Sequence, residues 1–319
     1  MNDSLLPRVD DLLAAAARIA PHAHVTPVLQ SQALDQMTGA RLAFKAEHLQ
    51  RGGAFKFRGA CNAVWALPEE VAARGVVTHS SGNHGAALAL AARTRGIACH
   101  VVVPEGAVAA KLANIERHGA TLWRCAPSIA AREAMCAQVQ ADTGATLVHP
   151  YADRQVMAGQ GTAALELLHS HGPFDLLVVP VGGGGLAAGT QLAIQAAAPQ
   201  ARLILAEPAG AADTARSLAA GSLQLDFTPD TICDGLRGTL GAPNFALLHG
   251  QAEVITVDEG ATVQAMRLLW QVLKQVVEPS SAIALAAILA EPARFAGQRV
   301  GVVLSGGNVD LDALPWGRA

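Results

Sequence analysis

The chain has 319 residues, 51% hydrophobic and 4% aromatic, with a formal net charge of -3 and a pI near 6.4. That length builds one large domain or two medium ones, and basic residues scattered singly leave no electrostatic footprint for nucleic acid. No apolar run is long enough to cross a bilayer, and the N-terminus lacks the basic and apolar regions of a secretory signal, so a cytoplasmic protein is expected.

Strand-like apolar runs alternate with helical stretches along most of the chain. Residues 76–78 lead into a helix over 86–93, 99–103 into 111–118, 121–124 into 129–140, and 147–148 into 155–168. Further on, 176–181 runs into a helix over 186–197, and 203–206 into one over 211–220. Continuous apolar strands separated by helices predict parallel sheet covered on both faces, a doubly wound α/β fold. The cysteines Cys61, Cys99, Cys125, Cys136 and Cys233 are odd in number and share no CxxC spacing. They read as small buried thiols rather than a disulfide framework or zinc site.

Three segments carry chemistry together. Lys56 lies between Phe55 and Phe57, with Arg58 beyond. A lysine amine near its ordinary pKa of about 10.4 is a poor nucleophile. An apolar or cationic setting from these neighbours would activate it for Schiff-base formation with an aldehyde. Gly182, Gly183, Gly184 and Gly185 follow an apolar strand and precede a helix starting near Leu186. Glycine lets backbone approach an anion closely, and the free amides of the helix start point at it, which makes a phosphate cup. Neither a P-loop nor a GxGxxG turn is spelled, which sets aside nucleotide hydrolases and nicotinamide dehydrogenases. Ser80, Ser81, Gly82, Asn83, His84 and Gly85 sit at the C-terminal end of a strand, where α/β sheets present ligands. Capping of the next helix is their ordinary reading.

Other positions are bland alone. Ser305 precedes two glycines, as in an ordinary turn. Glu207 and Asp213, six residues apart, are hard oxygen ligands suited to Mg²⁺ or Ca²⁺, yet equally a solvated pair or helix N-terminal charge. Arg132, within a helical stretch, reads by itself as a surface charge.

The chain closely resembles the fold type II enzymes that use pyridoxal phosphate (PLP), in the serine racemase and serine/threonine dehydratase branch. The resemblance runs through EHLQ at 47–50, THSSGNHG at 78–85, VHP at 148–150, AGQGT at 158–162 and VPVGGGG at 179–185. It continues through AEP at 206–208, TICDG at 231–235, EP at 278–279 and LSGGNVD at 304–310. It implies two doubly wound parallel-sheet domains with the cofactor between them: a large one from 1–74 and 153–319, and a small one over 75–152.

The resemblance also implies roles. Lys56 carries PLP, with Phe55 and Leu186 beside it, and the tetraglycine binds its phosphate. Asn83 contacts the 3-oxygen and Ser305 the pyridine nitrogen. A serine there cannot hold the ring nitrogen protonated as a carboxylate would, which weakens the electron sink and suits prompt loss of a β-hydroxyl. Ser80, Ser81, Gly82 and His84 belong to the loop that binds the substrate α-carboxylate. Ser81 matches a second acid/base opposite the lysine. Glu207, the carbonyl of Ala211 and Asp213 match ligands of Mg²⁺ or Ca²⁺. The activity implied is a dehydratase releasing ammonia from an L-serine or L-threonine type substrate, with racemisation as a further possibility. The alternative is a 3-hydroxyaspartate dehydratase, in which Arg132 binds the second carboxylate. A homodimer is the family's expectation. Two departures stand out: Tyr151 where asparagine is usual, and Arg51, Gly52 and Gly53 in a region tied to nucleotide binding, although Lys274 matches there.

Overall fold

The structure, a computed structural model, describes residues 6–316. Ten strands form two sheets: β1 Val28–Leu29, β2 Arg41–Ala46, β3 Val76–Thr78, β4 Cys99–Pro104, β5 Thr121–Cys125, β6 Thr146–Leu147, β7 Leu176–Pro180, β8 Arg202–Pro208, β9 Ala252–Val257 and β10 Arg299–Leu304. The larger sheet has the order β1-β2-β10-β7-β8-β9, and the smaller β5-β4-β3-β6. Every pairing is parallel except that of β1 with β2. In register, Val302 of β10 lies between Phe44 and Val178, and all five residues of β7 are buried. Such runs have no polar face because helices cover both sides. The α/β expectation therefore holds, and the small sheet is drawn wholly from residues 76–147.

The predicted strands and helices all form, with shifted ends. The helix expected over 86–93 runs Asn83–Arg95, because its polar entry is already helical after the Gly82 N-cap. The helix Arg154–His171 starts at Asp153, whose carboxylate accepts the amides of Gln155 and Val156 at 2.7 and 3.0 Å. This helix packs at backbone distance on two others, which explains AGQGT. A Cβ on Gly159 would lie 2.7 Å from the Cα of Gly59, and one on Gly161 2.4 Å from the carbonyl of Gly189. Here glycine permits helix–helix contact rather than ligand binding.

Candidate active site

Strands β2, β10 and β7 are adjacent and parallel, so the segments after them meet at one edge. The segment after β2 brings Lys56, β10 brings Ser305, and β7 brings the tetraglycine. Phe55 N donates to the carbonyl of Ser305 at 3.0 Å and locks two of these segments together. In the small sheet, β3 and β6 are likewise neighbours and deliver the 79–84 loop and His149.

Lys56 opens the helix Lys56–Ala66 and is partly buried. Its Nζ donates to the carbonyl of Pro150 at 3.1 Å and lies 5.1 Å from the centre of the Phe55 ring. Burial pulls the amine down to about 8, against the carboxylate of Glu278, which favours the charged form. The expectation that Arg58 and Phe57 supply this setting is corrected. Two residues along a helix is more than half a turn, so Arg58 points away from Lys56. Its guanidinium is fully buried on Glu47 and Glu166, each at 2.7 Å, while Phe57 lies in the core under Arg51.

Three of the four glycines of the cup, Gly182, Gly183 and Gly184, are required by a close approach. A Cβ on Gly182 would sit 2.8 Å from the Leu236 backbone, and one on Gly183 2.3 Å from the Tyr151 ring. Gly184 has φ 89 and caps the helix Gly185–Ala197, whose first turn includes buried Leu186. Asn244 Nδ2 ties the cup to the small-sheet segment, donating to the carbonyls of Gly183 at 2.7 Å and Tyr151 at 3.0 Å. The unpaired first-turn amides of the helix are suited to a phosphate.

In the 80–84 loop, Ser80 Oγ accepts from Gly82 N at 3.4 Å, and Ser80, Ser81 and Gly82 are all partly exposed. His84 is buried, with Nε2 3.3 Å from the carbonyl of Val148; burial and nearby Lys56 hold it well below the ordinary histidine range. Asn83 turns its amide to Glu278 at 2.9 Å. Ser305 is buried, and its hydroxyl makes a 3.4 Å contact to the carbonyl of Ser280.

Residues that sequence reasoning left without a role complete the site. His149 Nδ1 accepts the amides of Tyr151 at 3.3 Å and Ala152 at 3.0 Å, so its ring hydrogen sits on Nε2. Burial, then His79 and Lys56, push it down to about 4, which keeps the ring neutral. His79 meets it edge-on at 5.1 Å. Glu278 is buried and drawn up to about 7, by burial and then by Asp234. In the sequence it stood only within the EP segment of the resemblance, with no role attached. Arg132 of the helix Ile129–Thr143 is partly buried, and its Nε has no hydrogen-bond partner. It lies within electrostatic reach of His79.

The carboxylates expected to hold a metal are at the end of β8. Glu207 and Asp213 are fully buried, with Ala211 between them at the end of the turn Ala209–Ala211. Both Glu207 oxygens accept first-turn amides, Thr214 at 2.8 Å and Ala215 at 2.9 Å. Asp213 Oδ2 accepts from Leu240 N at 2.7 Å, while its buried Oδ1 has no partner. Burial and mutual repulsion drive Glu207 up to about 7. Among the described residues no group of three or more His, Cys, Asp or Glu clusters as a metal site. Lys274, with φ 60, lines a separate cavity of about 410 Å³ beside His48, Gly53 and Asn308. Arg51 turns away from this region, donating to the carbonyl of His22 at 2.8 Å.

No helix among the described residues is long and apolar enough to cross a membrane. Residues 19–306 match the family described as pyridoxal-phosphate dependent enzyme. The chain is 48% identical to a β-hydroxyaspartate dehydratase of Paracoccus denitrificans, over 98% of this chain and 99% of that one. It is 46% identical to a serine racemase of Arabidopsis thaliana, over 93% and 92% respectively. The solved structure of maize serine racemase superposes with a TM-score of 0.94 at 44% identity, covering 96% of this chain and 95% of that one. A half-buried lysine with a lowered pKa, a glycine cup at a helix start and a fold shared along the whole length all agree: the chain belongs to the family of pyridoxal-phosphate dependent enzymes, in its group of lyases and racemases.

Proposed function

We propose that this protein is a PLP-dependent dehydratase that releases ammonia from a β-hydroxy-α-amino acid, and that 3-hydroxyaspartate is preferred over serine and threonine. The observation that carries the preference is the unpartnered Nε of Arg132 on the His79 side of the site. A half-buried guanidinium with a spare donor is suited to a second carboxylate. A relative that is a β-hydroxyaspartate dehydratase supports the same reading.

The residues present fit PLP: a buried, activated amine at Lys56, a cup whose glycines leave no room for side chains, and a buried Ser305 with only a long contact of its own. When bound, PLP supplies an aldehyde for Lys56 and a ring that draws electrons from the substrate α-carbon. The first-turn amides of the cup would hold the phosphate, Ser305 Oγ would serve the ring nitrogen, and Asn83 the 3-oxygen. The loop of Ser80, Ser81, Gly82 and His84 holds the α-carboxylate. Lys56 Nζ, freed by substrate, takes the α-proton as general base. Ser81 Oγ, the residue that matches the family's second acid/base, would return a proton from the face opposite Lys56, and a minor racemase activity would then accompany elimination. The serine racemases among the relatives support that second activity.

The metal reading has support as well. The orphaned Asp213 Oδ1, with buried Glu207 and the Ala211 carbonyl near it in the chain, would suit Mg²⁺ or Ca²⁺ in a structural role. We further propose that residues 75–152 form the small domain, that the protein is a homodimer, and that it works in the cytoplasm, in keeping with five buried free cysteines.

The deciding experiment follows pyruvate, oxobutanoate and oxaloacetate from L-serine, L-threonine and both L-3-hydroxyaspartate diastereomers, with chiral analysis of the remaining amino acid. Dominant turnover of hydroxyaspartate upholds the reading. Equal or better turnover of serine and threonine overturns the preference, and no ammonia from any of them overturns the activity.

A further inference from the structure

Asn83 is clamped at both ends of its amide by residues that follow strands of the larger sheet. Its Nδ2 donates to Glu278 at 2.9 Å to Oε1 and 3.2 Å to Oε2. Its Oδ1 accepts from Asn308 Nδ2 at 2.9 Å, and Asn308 Nδ2 also donates to the carbonyl of Gly52 at 2.9 Å. The direction of this chain is forced. The Gly52 carbonyl and the ionised Glu278 carboxylate only accept, so Asn308 presents its nitrogen to Gly52, and Asn83 presents its own to Glu278.

The clamp is built in place. Asn308 N donates to Glu278 Oε2 at 3.1 Å. A Cβ on Gly306 would lie 2.6 Å from Glu278 Oε1, and one on Gly53 only 2.4 Å from Asn308 Oδ1. Two glycines therefore leave the room that these side chains occupy. An amide nitrogen carries two hydrogens, and Glu278 takes one from Asn83.

We propose that Glu278 and Asn308 are positioning residues for the cofactor, which lock Asn83 so that its remaining N–H, and not its carbonyl oxygen, faces the 3-oxygen of PLP. This rests on the reading above that Asn83 contacts that oxygen. A donor there favours the ionised oxygen, the form to which the visible absorption band of the bound cofactor belongs. A flipped or loosened amide favours the neutral form, which absorbs in the near ultraviolet.

The test compares cofactor-loaded wild type with Asn308→Ala, Asn308→Asp and Glu278→Gln, at a pH well above the Glu278 titration near 7. The readout is the ratio of visible to near-ultraviolet cofactor bands, with bound PLP and melting temperature measured alongside. Asn308 is exposed, so its replacement leaves the fold intact. Each variant is expected to lower the ratio about two- to tenfold, the size of one hydrogen bond. Asn308→Asp is expected to lower it most, because a carboxylate draws the Asn83 nitrogen toward itself. Asn83→Ala separates the two claims. If Asn83→Ala alters the ratio and the Asn308 and Glu278 variants do not, the positioning role is wrong and the cofactor contact stands. If Asn83→Ala leaves the ratio unchanged, the contact itself is wrong and the positioning role falls with it.

Discussion

Lys111, on the helix Ala109–Arg117 next to the small sheet, forms an ion pair with Asp234, on a turn between β8 and β9 of the larger one. Asp234 begins the turn Asp234–Leu236, in which Gly235 N donates to Ser280 Oγ at 3.0 Å and Leu236 packs on Gly182. The pair thus joins the two halves of the protein at a turn touching the phosphate cup. Both side chains are about 40% exposed (39% and 41%), so the pair adds little to stability. Lys111→Gln should lower the melting temperature by less than about 4 °C. It should also raise KM for the amino acid about two- to fivefold, as the tie between the small-sheet half and the turn beside the cup is lost, and high salt should produce the same rise in wild type. An unchanged KM in steady-state kinetics would count against a role for the pair at the site.

The lowered pKa of Lys56 sets the pH dependence of cofactor capture. Only the neutral amine attacks an aldehyde, so the rate at which the cofactor-free protein takes up PLP should rise with pH and level off above about 8. Glu278 favours the protonated amine, and removing its charge in Glu278→Gln should shift the midpoint lower. Stopped-flow absorbance across pH reads both. A midpoint at the ordinary lysine value would show that burial does not activate the residue.

Arg132→Ala should cut kcat/KM for 3-hydroxyaspartate about 10- to 100-fold, the worth of a hydrogen bond to a charged group, while serine changes less than threefold. Equal losses for both substrates would mean that Arg132 serves the fold rather than selection.

Metal binding at Glu207 and Asp213 is read by thermal shift. Mg²⁺ or Ca²⁺ at about 100-fold above its Kd should stabilise the protein by about 2.7 kcal/mol, and EDTA should reverse the shift. Asp213→Asn removes the charge and, with its oxygen kept on Leu240 N, puts an NH2 donor at the orphaned position. A metal-induced shift of the same size in that variant would sink the assignment.

Gly183→Ala puts a methyl group 2.3 Å from the Tyr151 ring, which a flexible side-chain tip could relieve but a ring cannot. PLP retention after dialysis should fall at least tenfold. Tyr151→Ala in the same chain should recover part of it by clearing the space. A Gly183→Ala protein that keeps PLP normally would mean the ring moves aside.

Alternating apolar runs sufficed for the α/β class, whereas Lys56, the tetraglycine and the 80–84 loop stood out only as three segments taken together and drew their roles from the family resemblance. Runs such as Leu176–Pro180 are apolar at every position because both sheet faces are covered, and that pattern is local. AGQGT is a case where a motif was visible and its purpose was not, since its glycines serve contacts with Gly59 and Gly189 far along the chain.

What the sequence determined by itself were the elements and the candidate groups for a cofactor, because periodicity, glycine and helix starts act over a few residues. What only the tertiary structure decided was which charges act on which. Arg58, two residues from Lys56, is spent on Glu47 and Glu166, whereas Glu278, more than two hundred residues away in the chain, biases Lys56 and clamps Asn83. Electrostatics and hydrogen bonding depend on distance in space and on burial, and strand order, not chain order, sets both.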